Sequence, residues 1–191
     1  MKIYTANTNN YDRPREDIQV FTDNSLFQNP VRNARFFKIL PPFDGEDTLW
    51  LDANITLKED LDSFIEWFCP EGYDMAVWEH PFRDCVYDEA AEILRYDHPK
   101  YRQCHDDVRR QVQWLQSMGY PKDNGLAETN VLFRRHSREM VKFNNEWFAQ
   151  LSRFSHRDQL SFNPALETTN LRVKYHNYNV REHISFYYEQ H

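Results

Sequence analysis

The sequence predicts an α/β fold, and three observations carry that expectation. Residues 48–57 supply the first: the apolar run Leu49-Trp50-Leu51 is stopped by Asp52 and Asn54 and resumes at Ile55 and Leu57. A β-favouring run of this kind reads as a buried strand, and a parallel sheet covers both of its faces. The second is the set of further strand-like runs at residues 2–6, 18–23, 75–78 and 129–133. The third is what separates them: segments whose apolar residues recur at helical spacing, as Leu61, Phe64, Ile65 and Phe68 do.

Taken in order, the first run leads into a polar loop at residues 7–12, and the second alternates and stops at Asp23-Asn24. A short helix at 33–39 is ended by Pro41-Pro42 and places Arg35 and Lys38 on one face. That face reads equally as a solvated basic surface. Asp60 caps the helix that follows residues 48–57, and Pro70 and Gly72 end it. The run at 75–78 enters a polar turn at 79–84 that holds His80, at a strand end where α/β enzymes place working groups. Two helices are expected next, at 86–96 and 99–118. Pro99 suits the first turn of the second and Gly119 the position past its end. After a turn at 123–125 and the strand at 129–133 comes a helix carrying Met140, Trp147, Leu151 and Phe154. A short helix opens within 156–162, and the chain from Asn163 reads as irregular. With no repeat or linker, residues 1–191 are expected to form one domain.

Composition bounds the function. Charged residues make up 28% and the hydrophobic set 40%, which is a globular balance. The net charge of -7, with no basic stripe to offset it, argues against a general nucleic-acid binder. Aromatic residues reach 16%, enough to fill a core and to leave stacking platforms for bases and sugar rings. Three separated cysteines without a CxxC pair point to reduced thiols and a cytoplasmic setting. No signal-peptide region and no transmembrane run of 18 apolar residues is present.

Asp52 and Asn54 stand two residues apart at or just past a strand's end, where open α/β sheets bind ligands. Two oxygens presented together suit a hard divalent cation that a diphosphate can share. An Asx turn closing a structural strand uses the same residues, and spacing alone favours the turn.

Several blocks in order resemble the glycosyltransferase-like family related to plant mucilage and turgor-defect proteins, long catalogued as a domain of unknown function. They are Tyr4-Thr5-Ala6 with Tyr11-Asp12, Phe21-Thr22-Asp23, residues 34–39 (ARFFKI), 49–55 (LWLDANI), 80–90 (HPFRDCVYDEA), 125–128 (GLAE) and 157–162 (RDQLSF). The resemblance implies a nucleotide-sugar transferase of the GT-A type: a single-domain, Rossmann-like α/β/α sandwich with a mostly parallel central sheet. It also implies Mn²⁺ or Mg²⁺ at a strand-end Asp-x-Asp, here Asp52 and Asn54, with a neutral oxygen in place of one charged ligand. His176 is the candidate C-terminal ligand, and His183 the reserve.

By the same resemblance Thr5, Tyr11, Asp12 and Asp23 line a nucleoside pocket, and Arg35 and Lys38 face the diphosphate. His80, Arg83 and Glu128 border the sugar and acceptor. Asp158 and Gln159 match an Asp-Gln pair that contacts the donor sugar. The reaction implied is transfer from a nucleotide-sugar, a UDP-sugar first, to a glycan or other hydroxyl acceptor. Asp158 and His80 are the candidate general bases. A metal-dependent hydrolase and a non-catalytic nucleotide- or sugar-binding domain on the same scaffold are the alternatives.

Overall fold

The computed structural model describes residues 1–189. Its first half runs β1 (Lys2–Ala6), β2 (Gln19–Phe21), α1 (Pro30–Ile39), β3 (Thr48–Leu51), β4 (Ile55–Leu57), α2 (Leu61–Phe68), β5 (Met75–Glu79) and α3 (Val86–Arg95). The second half runs α4 (Pro99–Arg102), α5 (His105–Ser117), β6 (Ala127–Arg134), α6 (Arg138–Arg153), α7 (Gln159–Leu166), β7 (Val173–His176), a 3₁₀ turn (Val180–Glu182) and β8 (Phe186–Tyr188). Six strands form one sheet in the order β2-β1-β3-β6-β5-β7. Only β6 runs against its neighbours, β3 and β5, so the sheet is mostly parallel and the α/β class is as expected.

Alternation along the strands sorts side chains to two faces. Tyr4, Trp50, Met75, Val77 and Leu132 pack with Phe37 of α1, Met140, Phe143 and Trp147 of α6 and Phe162 of α7. Leu49, Leu51, Ala76, Trp78, Val131 and Phe133 pack with Phe64 and Phe68 of α2 and with Ile55 and Phe186. β6 is buried at every residue, which makes it the central strand. Arg134 at its far end is 1% exposed, and its guanidinium donates to the Lys38 carbonyl at 2.8 Å and the Ile39 carbonyl at 3.2 Å. It thereby satisfies the open end of α1 and pins that helix to the sheet.

Four sequence expectations need correction. The run at 48–57 is two strands: the chain turns at residues 52–54 with an Ile55 N–H to Asp52 carbonyl bond of 2.9 Å, and β4 pairs with β8 in a separate two-stranded sheet. The helix expected at 99–118 is broken at Cys104, which leaves helical geometry at φ -115°, ψ 4° and sends its thiol back to the Tyr101 carbonyl. The helix expected at 33–39 begins at Pro30, with Asn29 accepting from the Val31 N–H at 2.8 Å. The stretch from Asn163 is not irregular: α7 runs to Leu166, and β7 and β8 follow. No helix among the described residues is long and apolar enough to cross a membrane.

Candidate active site

The loops after β1 and β3 and the start of α1 meet at the carboxyl edge of the parallel strands. There, with the segments before α4 and α7, they wall a cavity of about 530 Å³. Ala6, Tyr11, Asp12, Arg35, Asp52, Asn54, His98, Lys100, His156 and Arg157 line it. A chain of four alternating charges runs into its floor. Asp158, 4% exposed, lies 3.1 Å from Arg35 Nε and 2.7 Å from Lys38 Nζ, and accepts the Thr129 hydroxyl at 2.8 Å. Lys38, 1% exposed, also donates to Thr129 Oγ1 at 2.9 Å and lies 3.6 Å from Asp52 Oδ1. Asp52 Oδ1 in turn accepts the Trp50 indole N–H at 2.7 Å. Burial on its own would lift the Asp158 carboxyl, but Arg35, Lys38 and Thr129 outweigh it and hold the group well below the ordinary carboxylate range. His156 is pushed down to about 4 by burial and by Arg35, Arg157 and Arg32 around it.

A second cavity, about 880 Å³, opens at the carboxyl end of β5 and is walled by residues 79–84, the turn at 123–126 and the end of α7. His80 and Arg83 line it. Between the two cavities Glu89 of α3 is 3% exposed. It takes Arg83 at 2.7 Å from one side and Arg157 at 3.4 Å from the other, with His80 Nε2 at 3.8 Å. Burial, opposed by Glu89, keeps His80 below its usual range and so neutral near pH 7.

With this geometry in place, the family described as TOD1/MUCI70, glycosyltransferase-like domain, matches residues 18–190. The chain belongs to that family. An Arabidopsis thaliana relative named alkaline ceramidase TOD1 is 28% identical over 176 residues, covering 82% of this chain and 36% of that protein. The chain thus spans about a third of the length of this curated relative. No solved structure matches.

The TOD1/MUCI70 match begins after β1, so Thr5, Tyr11 and Asp12 lie outside it. Of the residues expected to bind a nucleotide, Tyr11, Asp12 and Arg35 line the first cavity, together with Asp52 and Asn54. Thr5 is fully buried inside β1, while its neighbour Ala6 reaches the cavity. Asp23 is exposed and accepts from Ser25 N–H and Oγ, which makes it the cap of a turn. Lys38 is not a wall residue: it lies under the floor, tying Asp52 to Asp158. Asp158 is fully engaged by Arg35, Lys38 and Thr129 and cannot act as a general base; Gln159 beside it is the first residue of α7.

Glu128 is 3% exposed; its Oε1 meets Arg181 at 2.6 Å and its Oε2 is buried without a hydrogen-bond partner among the described residues. Burial, with Asp52 nearby, raises its carboxyl despite Arg181.

His176 is not brought to Asp52. Its Nε2 lies 2.7 Å from the Phe68 carbonyl, and its ring stacks 4.9 Å from Phe68 and 4.7 Å from Trp67. His183 joins the same aromatic group, 5.2 Å from Trp67. The third-ligand assignment therefore fails for both on position: the two rings sit against Trp67, Phe68 and Trp78, and neither lines the cavity that holds Asp52 and Asn54. Sequence reasoning missed His98, Lys100 and His156 as wall residues, and Thr129 as the hydroxyl between Lys38 and Asp158. Thr129 did leave a signal, a hydroxyl in an apolar strand run.

Proposed function

We propose that this domain is a glycosyltransferase that holds a nucleoside diphosphate sugar, a UDP-sugar first, in the cavity beside Arg35. The observation that carries this reading is the Arg35–Asp158–Lys38–Asp52 chain of charges beneath a cavity whose wall adds Lys100 and Arg157. Cations fixed in place before the reaction lower the energy of charge developing on a leaving diphosphate. Asp158 is the positioning residue: it keeps Arg35 in the cavity wall where that charge forms, while Lys38 beneath the floor ties it to Asp52. Tyr11, exposed at the cavity lip, offers a ring for the base.

Asp52 and Asn54 give one charged and one neutral oxygen, and Asp52 Oδ1 is already shared with Trp50 and Lys38. Among the described residues the His, Cys, Asp and Glu that gather three ligand atoms are Cys85, Asp88 and Asp123, not a set around Asp52. This donor set fits Mn²⁺ or Mg²⁺ completed by diphosphate oxygens and water, as Mg²⁺ commonly is, and not an ion caged by protein. Such an ion, when bound, neutralises diphosphate charge. On the acceptor side the neutral group is His80, which takes a hydroxyl proton at Nδ1 once the Phe82 N–H, 3.3 Å away, releases it.

One observation favours a second reading. The Arabidopsis relative's name describes a ceramidase, which would make His80 the group that activates water against an amide. The two readings separate by thermal shift and product analysis. The transferase reading expects UDP with Mn²⁺ to raise Tm, and Asp52→Ala to remove the rise. Fatty-acid release from ceramide, without a shift from any nucleotide, would replace it with the hydrolase.

A further inference from the structure

The larger cavity, about 880 Å³, differs in chemistry from the smaller one. We propose that it is the acceptor subsite and that it accepts the neutral, polyhydroxylated end of a glycan while rejecting uronic or phosphorylated ends. This deepens the transferase reading and rests on it.

Position comes first. The cavity opens at the carboxyl end of β5, on the sheet edge that also bears the donor cavity, and the Arg83–Glu89–Arg157 bridge joins a residue of one wall to a residue of the other. His80 lines the larger cavity beside the bridge, its side chain 9% exposed, with Nδ1 accepting the Phe82 N–H at 3.3 Å and Nε2 3.3 Å from Arg83 Nη2.

Charge comes second. Glu79, Asp84, Asp123 and Glu167 line the cavity against the single guanidinium of Arg83, and that cation is already paired with Glu89. The donor cavity sets Arg35, Lys100 and Arg157 against Asp12 and Asp52. An anionic acceptor would meet uncompensated like charge in the larger cavity, whereas the cations of the donor cavity are balanced by Asp158 and Glu89 as well as by its own acids.

Recognition chemistry comes third. Carboxylates and amides fixed by the protein accept sugar hydroxyls without reorganising. Asn163, 5% exposed, is what fixes the wall that presents them: its Oδ1 takes the Ala127 N–H at 3.0 Å and its Nδ2 donates to Tyr175 Oη at 3.2 Å and to the Asn124 carbonyl at 3.4 Å. At the rim the Phe82 ring is 75% exposed and stands edge-on to His80 at 6.1 Å. A large apolar ring held in water beside a polar cavity suits the C–H face of a sugar.

The test uses the whole chain and three probes: a neutral disaccharide such as cellobiose or xylobiose, digalacturonate, and the polyamine spermidine. Binding is followed by NMR line broadening of each probe, and UDP-induced thermal shift is read on the same samples. The expected result is that a neutral disaccharide binds, digalacturonate does not, and Phe82→Ala weakens the disaccharide by roughly tenfold. Asp84→Asn with Asp123→Asn should then admit digalacturonate. Asn suits position 123, where φ is 55°. Three outcomes overturn the proposal: no disaccharide bound, binding that ignores Phe82→Ala, or spermidine alone binding. If disaccharide binding behaves as expected but no nucleotide shifts Tm, the transferase reading fails and the cavity stands as a glycan site.

Discussion

Asp158 is the residue on which the site's electrostatics depend. It neutralises Lys38 and Arg35 where water cannot, so removing its charge leaves buried cations underpaired. Asp158→Asn keeps the shape and should lower stability by roughly 3–5 kcal/mol in urea denaturation. Asp52→Asn, at a side chain 31% exposed, should cost under about 1 kcal/mol. A result with the two variants equal would mean that Lys38 leans on both acids alike. The pH dependence follows from the same groups. Asp158 has a depressed folded value, so its contribution is complete above the unfolded carboxylate range near 4 and is lost as pH falls further. His156 drops from 6.5 to about 4 on folding, so the unfolded chain binds its proton first. Stability should therefore fall between about pH 6.5 and 4, by about 3 kcal/mol for this group, and His156→Gln should flatten that limb.

At the scale of elements, α1 is the part that delivers both cations, and it is tethered along its length. Asn29 caps its start, Arg134 satisfies its end, and Arg32 reaches α6, donating to the Leu151 carbonyl at 2.8 Å and the Phe154 carbonyl at 2.7 Å. Asn29→Ala should cost about 1 kcal/mol and Arg32→Ala about 1–3 kcal/mol, because two helix-end carbonyls lose their donor. In both variants nucleotide affinity should fall alongside Tm, since Arg35 moves with the helix; unchanged affinity would show that Asp158 alone positions it. Elements with a local signature were legible in the sequence. The Asp60 cap on α2, whose carboxylate accepts the Ser63 N–H at 3.0 Å, is one, and the apolar run of β5 is another. β7 did carry a strand signal, Val173 and Tyr175 alternating with Lys174 and His176, but it is four residues long and sits in a polar stretch rich in Asn, Tyr and His. β8, an aromatic run of Phe-Tyr-Tyr, did have strand propensity; its partner β4 had been assigned to the wrong sheet.

At the scale of the molecule, the site is the product of pairings that no local window contains. Asp52 and Asn54 could be named from a strand-end pattern, Arg35 from a helix face and Tyr11 from the family resemblance, but the Lys38–Thr129–Asp158 contacts join α1, β6 and the segment before α7. His176 failed as a ligand for the converse reason: its sequence neighbours do not reveal that Trp67 and Phe68 of α2 surround it. The same long-range assembly decides how a metal should behave. Asp52 already has Lys38 at 3.6 Å, a fixed positive charge that a divalent ion must compete with. Mn²⁺ alone should therefore bind weakly and leave Tm almost unchanged. UDP brings two phosphates that outweigh the repulsion and complete the ion's oxygen shell, so Mn²⁺ and UDP together should raise Tm by more than the sum of each alone. Lys38→Met would remove the competing charge but also leave Asp158 short of a partner. The informative variant is therefore Asn54→Asp, which adds a charged oxygen and leaves the buried pair intact. It should strengthen Mn²⁺ binding measured by calorimetry without nucleotide, and an unchanged affinity would place any metal away from Asp52 and Asn54.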